Sequence, residues 1–363
     1  MIDRTQIRNI DWVLLGLLLI NSLIGVAVIY SASHYLPGDY HLRQLFWIAV
    51  SLVAFFIVLS IDYNTLVSFS FPFYAVCLVV LLGILLFGVL ISGAKSWIRL
   101  PFMQIQPSEV TRIAVILVLA QIFAHHKRTS LTMGKIFMSS AVIFVPFFLI
   151  GLQPDLGTAL SYIPILLGAL ILAGVTKRMV IVFLLLAVVL GFTGWSYVLK
   201  DYQKDRLTTL ISPGKDPLGS GYQITQSKIA IGSGGFQGKG YLKGTQSQLR
   251  FLPARHTDFI FSVIGEELGF LGTVFILFFY FLFVFRLFRS AFQARDRAGV
   301  YIIFMVAMWI SCQFFINVMM TVGLFPIAGI PLPLLSYGGS SLLTNYIAVS
   351  LVVNVKMRRF ANI

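Results

Sequence analysis

The sequence predicts an all-α membrane protein: a bundle of about ten transmembrane helices with one large extracellular loop between spans seven and eight. Three observations predict it. Of 363 residues, 58% are hydrophobic and only 11% charged, whereas a soluble domain carries about 25% charged residues. The apolar residues form repeated blocks of about 20, the length a helix needs to cross the hydrocarbon core. The basic residues fall between these blocks rather than on one surface. Helices let such blocks pair every backbone group inside the bilayer. Residues 1–363 read as a single polytopic domain.

In chain order, spans are expected at about 11–32, 44–61, 66–92, 108–125, 136–151, 156–175, 179–198, 259–285, 299–323 and 341–356. The first follows Arg4 and Arg8 as a signal peptide would, but its apolar run is too long for a signal core, so it reads as an uncleaved helix. Orientation follows from Lys and Arg in short connections. With the N-terminus inside, the inner segments collect Arg4, Arg8, Lys127, Arg128, Lys135, Lys177, Arg178, Arg286, Arg289, Arg295, Arg297, Lys356, Arg358 and Arg359. The short outer ones hold only Arg43, Lys95, Arg99 and Arg112. Both termini are therefore expected in the cytoplasm. The net charge of +14 fits this topology and contact with anionic lipid, not a nucleic-acid groove. Cys77 and Cys312 fall in apolar spans without disulfide or metal spacing and read as small core hydrophobes.

The segment at about 199–258 is the anomaly, because a loop of that length in a compact bundle is functional or disordered. It is patterned rather than low in complexity. Residues 222–231 suit a short amphipathic helix at the interface, and a glycine-rich run follows at 232–240. That run fails as a phosphate loop: Ser233 stands where the first glycine belongs, and Gly240 replaces the hydroxyl residue. The loop's basic excess suits an anionic ligand such as a phosphorylated lipid, or plain contact with anionic lipid. The adjacent His125 and His126 point apart on a helix with no carboxylate near, and read as a solvated loop.

The sequence has only 13 acidic residues, which allows elimination. Glu109, Asp155, Asp258, Glu266 and Glu267 sit in or at the mouth of apolar spans, where a charge is functional or paired. Glu109 and Arg112 are three apart, so they share a helix face and can pair. Asp155 follows Pro154 and also reads as a helix cap. Of Glu266 and Glu267, about 100° apart on a helix, at least one faces the bundle interior. Asp258 ends the basic loop and starts span eight. It reads equally as a cap or as a general base placed beside phosphate-binding cations.

The segment from Pro253 through His256-Thr257-Asp258 to Ser262, followed by Gly265-Glu266-Glu267-Leu268-Gly269, resembles the SEDS family (shape, elongation, division and sporulation). So do Gln106-Pro107-Ser108-Glu109, Gln153-Pro154-Asp155-Leu156-Gly157-Thr158, Ile231-Gly232-Ser233-Gly234-Gly235 with Gly238-Lys239-Gly240, and Gly329-Ile330-Pro331-Leu332-Pro333 with Ser336-Tyr337-Gly338-Gly339-Ser340-Ser341. The short tails are similar to those of the RodA-like elongation branch. The resemblance implies a peptidoglycan glycosyltransferase of the bacterial cytoplasmic membrane that polymerises lipid II at the outer face. It implies a class B penicillin-binding protein and other elongation-complex membrane proteins as partners, and a divalent cation, Mg²⁺ or Mn²⁺, as cofactor.

On the matching positions, Asp258 is the catalytic aspartate, supported by Glu109, Arg112, Asp155 and Glu266. Phosphate or sugar contacts are expected among Lys228, Lys239, Lys243, Arg250, Arg255, His256, Ser336 and Tyr337. Two positions depart from the family: Ala254 stands where a glutamate usually precedes the His-Thr-Asp, and Arg112 where lysine is common. Two other readings stand beside this one, a lipid II flippase and a scaffold without chemistry in which Asp258 is only a cap.

Overall fold

The computed structural model describes residues 8–91, 94–99, 104–124, 132–175 and 219–360, with isolated positions between 179 and 210. Apart from those positions, the expected seventh span and the first part of the long loop lie outside the described residues, as do His125 and His126. The described elements are α1 (Trp12–Ser33), α2 (Tyr40–Ser60), α3 (Tyr63–Ser68), α4 (Ser70–Phe87), β1 (Val89–Ile91), β2 (Ala94–Arg99), β3 (Gln104–Ile105), α5 (Pro107–Ala124), α6 (Met133–Leu152), α7 (Leu156–Leu160), α8 (Ile163–Ala173), α9 (Ser220–Gly234), α10 (Thr245–Gln248), α11 (Ile260–Ala291), α12 (Arg297–Thr321) and α13 (Gly339–Met357).

Among the described residues, eight helical stretches, with α7 and α8 taken together, are long and apolar enough to cross a bilayer. The membrane bundle read from composition is therefore present. α13 matches the last expected span, but it carries Ser340, Thr344, Asn345, Ser350, Asn354 and Lys356 on its buried surface. α5 is buried along nearly its whole length and packs against α4, α12, α6, α13 and α8. It is the axis around which the bundle is built.

Aspartate side chains cap the starts of four of the described helices. Asp11 accepts from Leu14 N (3.1 Å), Asp62 from Asn64 N (2.9 Å), Asp155 from Thr158 N (3.2 Å) and Asp296 from Gly299 N (2.9 Å). Each satisfies a backbone donor that the first helical turn leaves unpaired. Lipid supplies little hydrophobic drive between helices, so polar pairs and small residues join them. The Tyr346 hydroxyl donates to Ser22 Oγ (2.9 Å), Ser350 to the Phe55 carbonyl (2.6 Å), and Asn354 to the carbonyls of Val58 and Ile61 (2.8 and 2.6 Å).

The structure departs from the sequence reading in four places. The third expected span, about 66–92, is α3 and α4 followed by β1, and β1, β2 and β3 pair as a three-stranded antiparallel sheet in which Val89 faces Trp97 and Ile98 faces Ile105. The span expected at about 156–175 is broken between α7 and α8, because Pro164 near the start of α8 has no N–H for the preceding turn and its ring crowds a carbonyl there. The helix starting near residue 260 is interrupted at Gly269 (φ 63°, ψ −162°). The loop helix α9 packs against α11, with Ile224, Ser227, Ala230 and Gly234 buried.

At the end of the bundle remote from Asp258, Asp11 is almost wholly buried and binds Arg286 in bidentate fashion (3.0 and 3.0 Å) and Lys356. This joins the start of α1 to the later turns of α11 and α13. Burial by itself raises the Asp11 carboxyl, but the bonds from Arg286, Lys356 and the Leu14 amide outweigh it and hold the group below the usual carboxylate range. A depressed carboxylate stabilises the fold above its unfolded pKa of about 3.9, and that contribution is lost as the pH falls through the folded value. Asp11→Asn leaves two cations facing a neutral amide and should lower stability by on the order of 3 kcal/mol at neutral pH. Thermal unfolding in detergent checks this, and the gap between variant and wild type should narrow below about pH 4.

Candidate active site

The site is assembled around residues 254–258. The Ala254 carbonyl, on a residue in the left-handed region (φ 48°), accepts from the amides of Thr257 (3.1 Å) and Phe259 (3.3 Å) and from the Thr257 hydroxyl (3.1 Å). The turn is then fastened residue by residue to α1, α12 and the 336–337 segment. Arg255 donates from Nε to the Ala32 carbonyl at the end of α1 (2.6 Å). The His256 carbonyl accepts from the Tyr337 amide (2.9 Å), while its ring lies against Tyr40 and Tyr337 at centroid distances of 4.7 and 5.8 Å. Ser336 donates from Oγ to the Thr257 carbonyl (2.5 Å) and accepts from Leu332 N (2.8 Å). Asn317 on α12 donates to the carbonyls of Asp258 (2.9 Å) and Ile330 (2.8 Å). Burial, with Arg255 beside it, pushes His256 below the usual imidazole range, so the ring is neutral at pH 7.

The cap residue of α11 is Phe259, which makes no side-chain cap bond. Asp258 precedes it, half-buried, and lines a cavity of about 1250 Å³. Glu109, Arg112, Asp155 and Tyr337 line the same cavity. Elements far apart in sequence thus bring Asp258, Glu109, Arg112 and Asp155 together. Arg112 donates to Glu109 Oε2 (2.8 Å), and both side chains are nearly inaccessible. The guanidinium also lies 5.2 Å from the Trp309 ring and 5.8 Å from the Tyr162 ring, a cation–π setting. Asp155 caps α7 with Oδ1 and accepts from Gln106 Nε2 with Oδ2 (2.7 Å). The Gln106 amide in turn donates to Ser340 Oγ at the start of α13 (3.1 Å).

The remaining expected contacts lie elsewhere. Glu266 is wholly buried beneath the loop and pairs with Lys239 (2.7 Å). Arg250 donates to the Tyr35 carbonyl (2.6 Å), and Arg255 to that of Ala32. Lys228 and Lys243 are exposed. None of these, nor His256 or Ser336, is among the cavity-lining residues. Arg250 and Arg255 meet carbonyls at and just beyond the end of α1, the acceptors that a helix C-terminus offers to cations. Among the described side chains the cavity cations are Arg43 and Arg112. Arg43 also hydrogen-bonds Tyr337, whose hydroxyl is pushed above its usual value by burial. Gln106, Gln313, Asn317, Trp97 and Ser340 were not singled out as site residues. Gln313 and Asn317 carried a signal, being polar residues within an apolar span.

Among the described residues no group of three His, Cys, Asp or Glu side chains gathers as a metal site. The cavity does offer oxygen donors, including Asp155, whose outward partner is a single amide. Such a set fits a hard divalent ion that also takes substrate phosphates, since Mg²⁺ is held by one or two carboxylates with the rest supplied by phosphate and water.

A family model for FtsW, RodA and SpoVE cell cycle proteins matches residues 11–360. The chain belongs to this family. It is 37% identical to the peptidoglycan glycosyltransferase MrdB of Escherichia coli K12, over 97% of this chain and 94% of the relative. It is 35% identical to the peptidoglycan glycosyltransferase RodA of Treponema pallidum, over 97% and 99%. Its fold superposes on a chain of a peptidoglycan synthase complex that coordinates polymerization and crosslinking, with a TM-score of 0.84 and 31% identity over 97% and 99% of the two chains. The rod shape determining protein RodA of Thermus thermophilus gives 0.73 and 26% over 97% and 98%.

In this family member one wall of the cavity depends on a glycine. A Cβ on Gly157 would strike the Ala328 carbonyl, next to the strip 328–331 that lines the cavity opposite α7. Gly157→Ala should therefore cost about 1–3 kcal/mol by overpacking and displace that strip. A lower thermal midpoint together with lower activity is the expected result.

Proposed function

We propose that the chain is a peptidoglycan glycosyltransferase that polymerises lipid II into glycan strands at the outer face of the bacterial cytoplasmic membrane during cell elongation. In this reading both termini are cytoplasmic, and the partner is a class B penicillin-binding protein within the elongation complex. The observation that carries it is the single cavity that joins the mouth of α11, with Asp258, to the buried Glu109–Arg112 pair and to Asp155. Its volume, about 1250 Å³, exceeds the ~300–1,000 Å³ of small-molecule sites and suits a saccharide carried on a pyrophosphate.

Asp258 takes the proton from the 4-hydroxyl of the acceptor sugar. The freed oxygen attacks the anomeric carbon of the donor, the bond to the pyrophosphate oxygen breaks, and undecaprenyl pyrophosphate leaves. One displacement inverts the centre, turning an α-linked donor into a β-linked polymer. Pyrophosphate is a good leaving group, so one carboxylate base suffices where glycoside hydrolysis needs an acid as well. Arg43 and Arg112 are the cations placed to offset its charge. Arg112 is fixed between two aromatic rings, while Arg43 is exposed at the rim. A divalent ion, when bound, would be held by Asp155 and would neutralise phosphate charge.

The flippase reading requires a route to the opposite end of the bundle, where Asp11, Arg286 and Lys356 tie α1, α11 and α13 together. In the scaffold reading Asp258 only holds the start of α11, and its loss would cost about 1 kcal/mol of stability with polymerisation by the complex intact.

The deciding experiment is polymerisation of purified lipid II with Mg²⁺ or Mn²⁺ by the chain and its cognate partner, with the transpeptidase blocked. Loss of a general base costs about 10²–10⁴-fold, so Asp258→Asn, folded and in complex, should yield no glycan chains. Equal polymer from variant and wild type would remove Asp258 as the base. No polymer from either, with lipid II crossing liposome membranes, would favour transport.

A second comparison separates cavity cations from loop cations. A lost bond to a charged group is worth about 1.5–3 kcal/mol, so Arg43→Ala should raise the lipid II requirement about tenfold or more. Lys228→Ala and Lys243→Ala should leave it within about twofold, since surface charges contribute little.

A further inference from the structure

α11 is two helices spliced through another segment. In an unbroken helix the amides of Phe270 and Leu271 would donate to the carbonyls of Glu266 and Glu267, four residues back. Here Phe270 N donates to the Gly235 carbonyl (2.9 Å) and Leu271 N to that of Phe236 (3.1 Å). The released carbonyls of Glu266 and Glu267 accept from Lys239 N (3.0 Å) and Gly240 N (2.9 Å). Two bonds internal to a helix are replaced by four to the strip that follows α9. The strip fits because of its glycines: a Cβ on Gly238 would collide with the Glu267 carbonyl and the Gly269 amide, and one on Gly234 with the Gly265 carbonyl.

The consequence is mechanical. Residues 260–268, which begin two residues after Asp258, are not held in line by the rest of α11. One end is anchored by the bonds that fasten residues 254–258; the other is set where the strip and α10 grip it, and that grip centres on Glu266. Its carboxylate, wholly buried, accepts from Lys239 Nζ (2.7 Å), Thr245 Oγ1 (3.1 Å), Gln246 N (2.8 Å) and Ser247 N (3.1 Å). Four donors on one carboxylate, one of them charged, make a strong and directional clasp. Glu267 extends it to α1 by accepting from Ser31 Oγ (2.6 Å). Glu266 lies eight residues from Asp258, about 12 Å along the helix, too far to touch what Asp258 touches.

We propose that Glu266, clasped by Lys239 and the start of α10, is a positioning residue that sets where the Asp258 carboxylate stands in the cavity. This rests on the reading of Asp258 as the base. A tilt of the 260–268 segment pivoting at Gly269 moves its far end, and with it Asp258. The outer loop thus contributes to the chemistry by aiming the base rather than by binding phosphate.

The test compares Asp258→Asn, Glu266→Gln, Lys239→Met and Lys239→Arg in the full chain with its partner, measuring lipid II polymerisation per folded complex across pH. A glutamine turns an NH₂ group toward donors and cannot replace the clasp. The expected result for Glu266→Gln and Lys239→Met is a kcat about tenfold lower, with KM within twofold and a displaced acid limb of the kcat profile, the limb that reports the base. Lys239→Arg, which keeps the charge, restores all three. An unchanged kcat and profile in Glu266→Gln, with Asp258→Asn inactive, overturns the positioning role and leaves the base assignment standing. So does a variant that lowers only the yield of folded complex. Polymerisation by Asp258→Asn at the wild-type rate overturns the base assignment and this proposal with it. If Glu266→Gln does not fold, Lys239→Met, at a partly exposed position, decides.

Discussion

A helix in a bilayer has no solvent to satisfy its backbone, so a break in one is tolerated only where other protein groups take up the freed donors and acceptors. The break at Gly269 meets that requirement completely: both displaced amides and both displaced carbonyls find partners in residues 235–240. Much of the site follows from it. The splice fixes α9 against the start of α11, sets the direction of residues 260–268, and delivers Asp258 to the cavity wall at an angle that a straight membrane helix would not impose. The carbonyls of 254, 256, 257 and 258 are each held by a hydrogen-bond donor, three of them from α12 or the 336–337 segment. Backbone placement is thereby separated from the carboxylate, which lines the cavity.

Charge is distributed by the same logic. The basic residues of the loop suggest an anion site when counted along the sequence. In three dimensions Arg250 and Arg255 face the last carbonyls of α1 and its extension, and Lys239 faces a buried glutamate. Each neutralises a local partial or full negative charge, and the loop is tied to α1 as a result. The Tyr241 hydroxyl and Gln248 reinforce that attachment at the carbonyls of Ala27 and Ser31 (2.7 and 3.0 Å). Among the described side chains the cavity's cations come from other helices, Arg43 from α2 and Arg112 from α5, positions that a count of loop charge does not reveal.

What was legible in the sequence was what local chemistry determines. Apolar block length located the membrane helices, the three-residue spacing of Glu109 and Arg112 foretold their ion pair, and Asp155 after Pro154 foretold a cap. The joining of Asp258 with Glu109, Arg112 and Asp155 in one cavity was legible only through family resemblance, because each arrives on a different element. The sheet of β1, β2 and β3 was missed because its short strands run on from an apolar helix and lack a clean alternation. The splice was missed because a glycine inside an apolar run reads as a tolerated helical residue. The opposing Gly238 backbone, which a Cβ at 269 would strike, becomes visible only in three dimensions. Gln313 and Asn317 were overlooked although polar residues inside a span carry a functional presumption.

The surroundings of Arg112 suit an arginine better than a lysine. A lysine at this depth would offer a compact ammonium and three movable donors to Glu109. The arginine instead lies between the Tyr162 and Trp309 rings and reaches Glu109 with one nitrogen. A planar guanidinium is more weakly hydrated than an ammonium and stacks on aromatic faces, so it resides in this buried position at lower desolvation cost. The Tyr162 hydroxyl donates to the Ser108 carbonyl (2.6 Å), locking one of the two rings to the first turn of α5, where Glu109 itself resides. The charge at the cavity floor is thus held by ring packing as well as by its counter-ion. Such a cation cannot swing with the substrate; it presents a fixed field, and the proposed displacement of pyrophosphate needs that kind of preorganised charge.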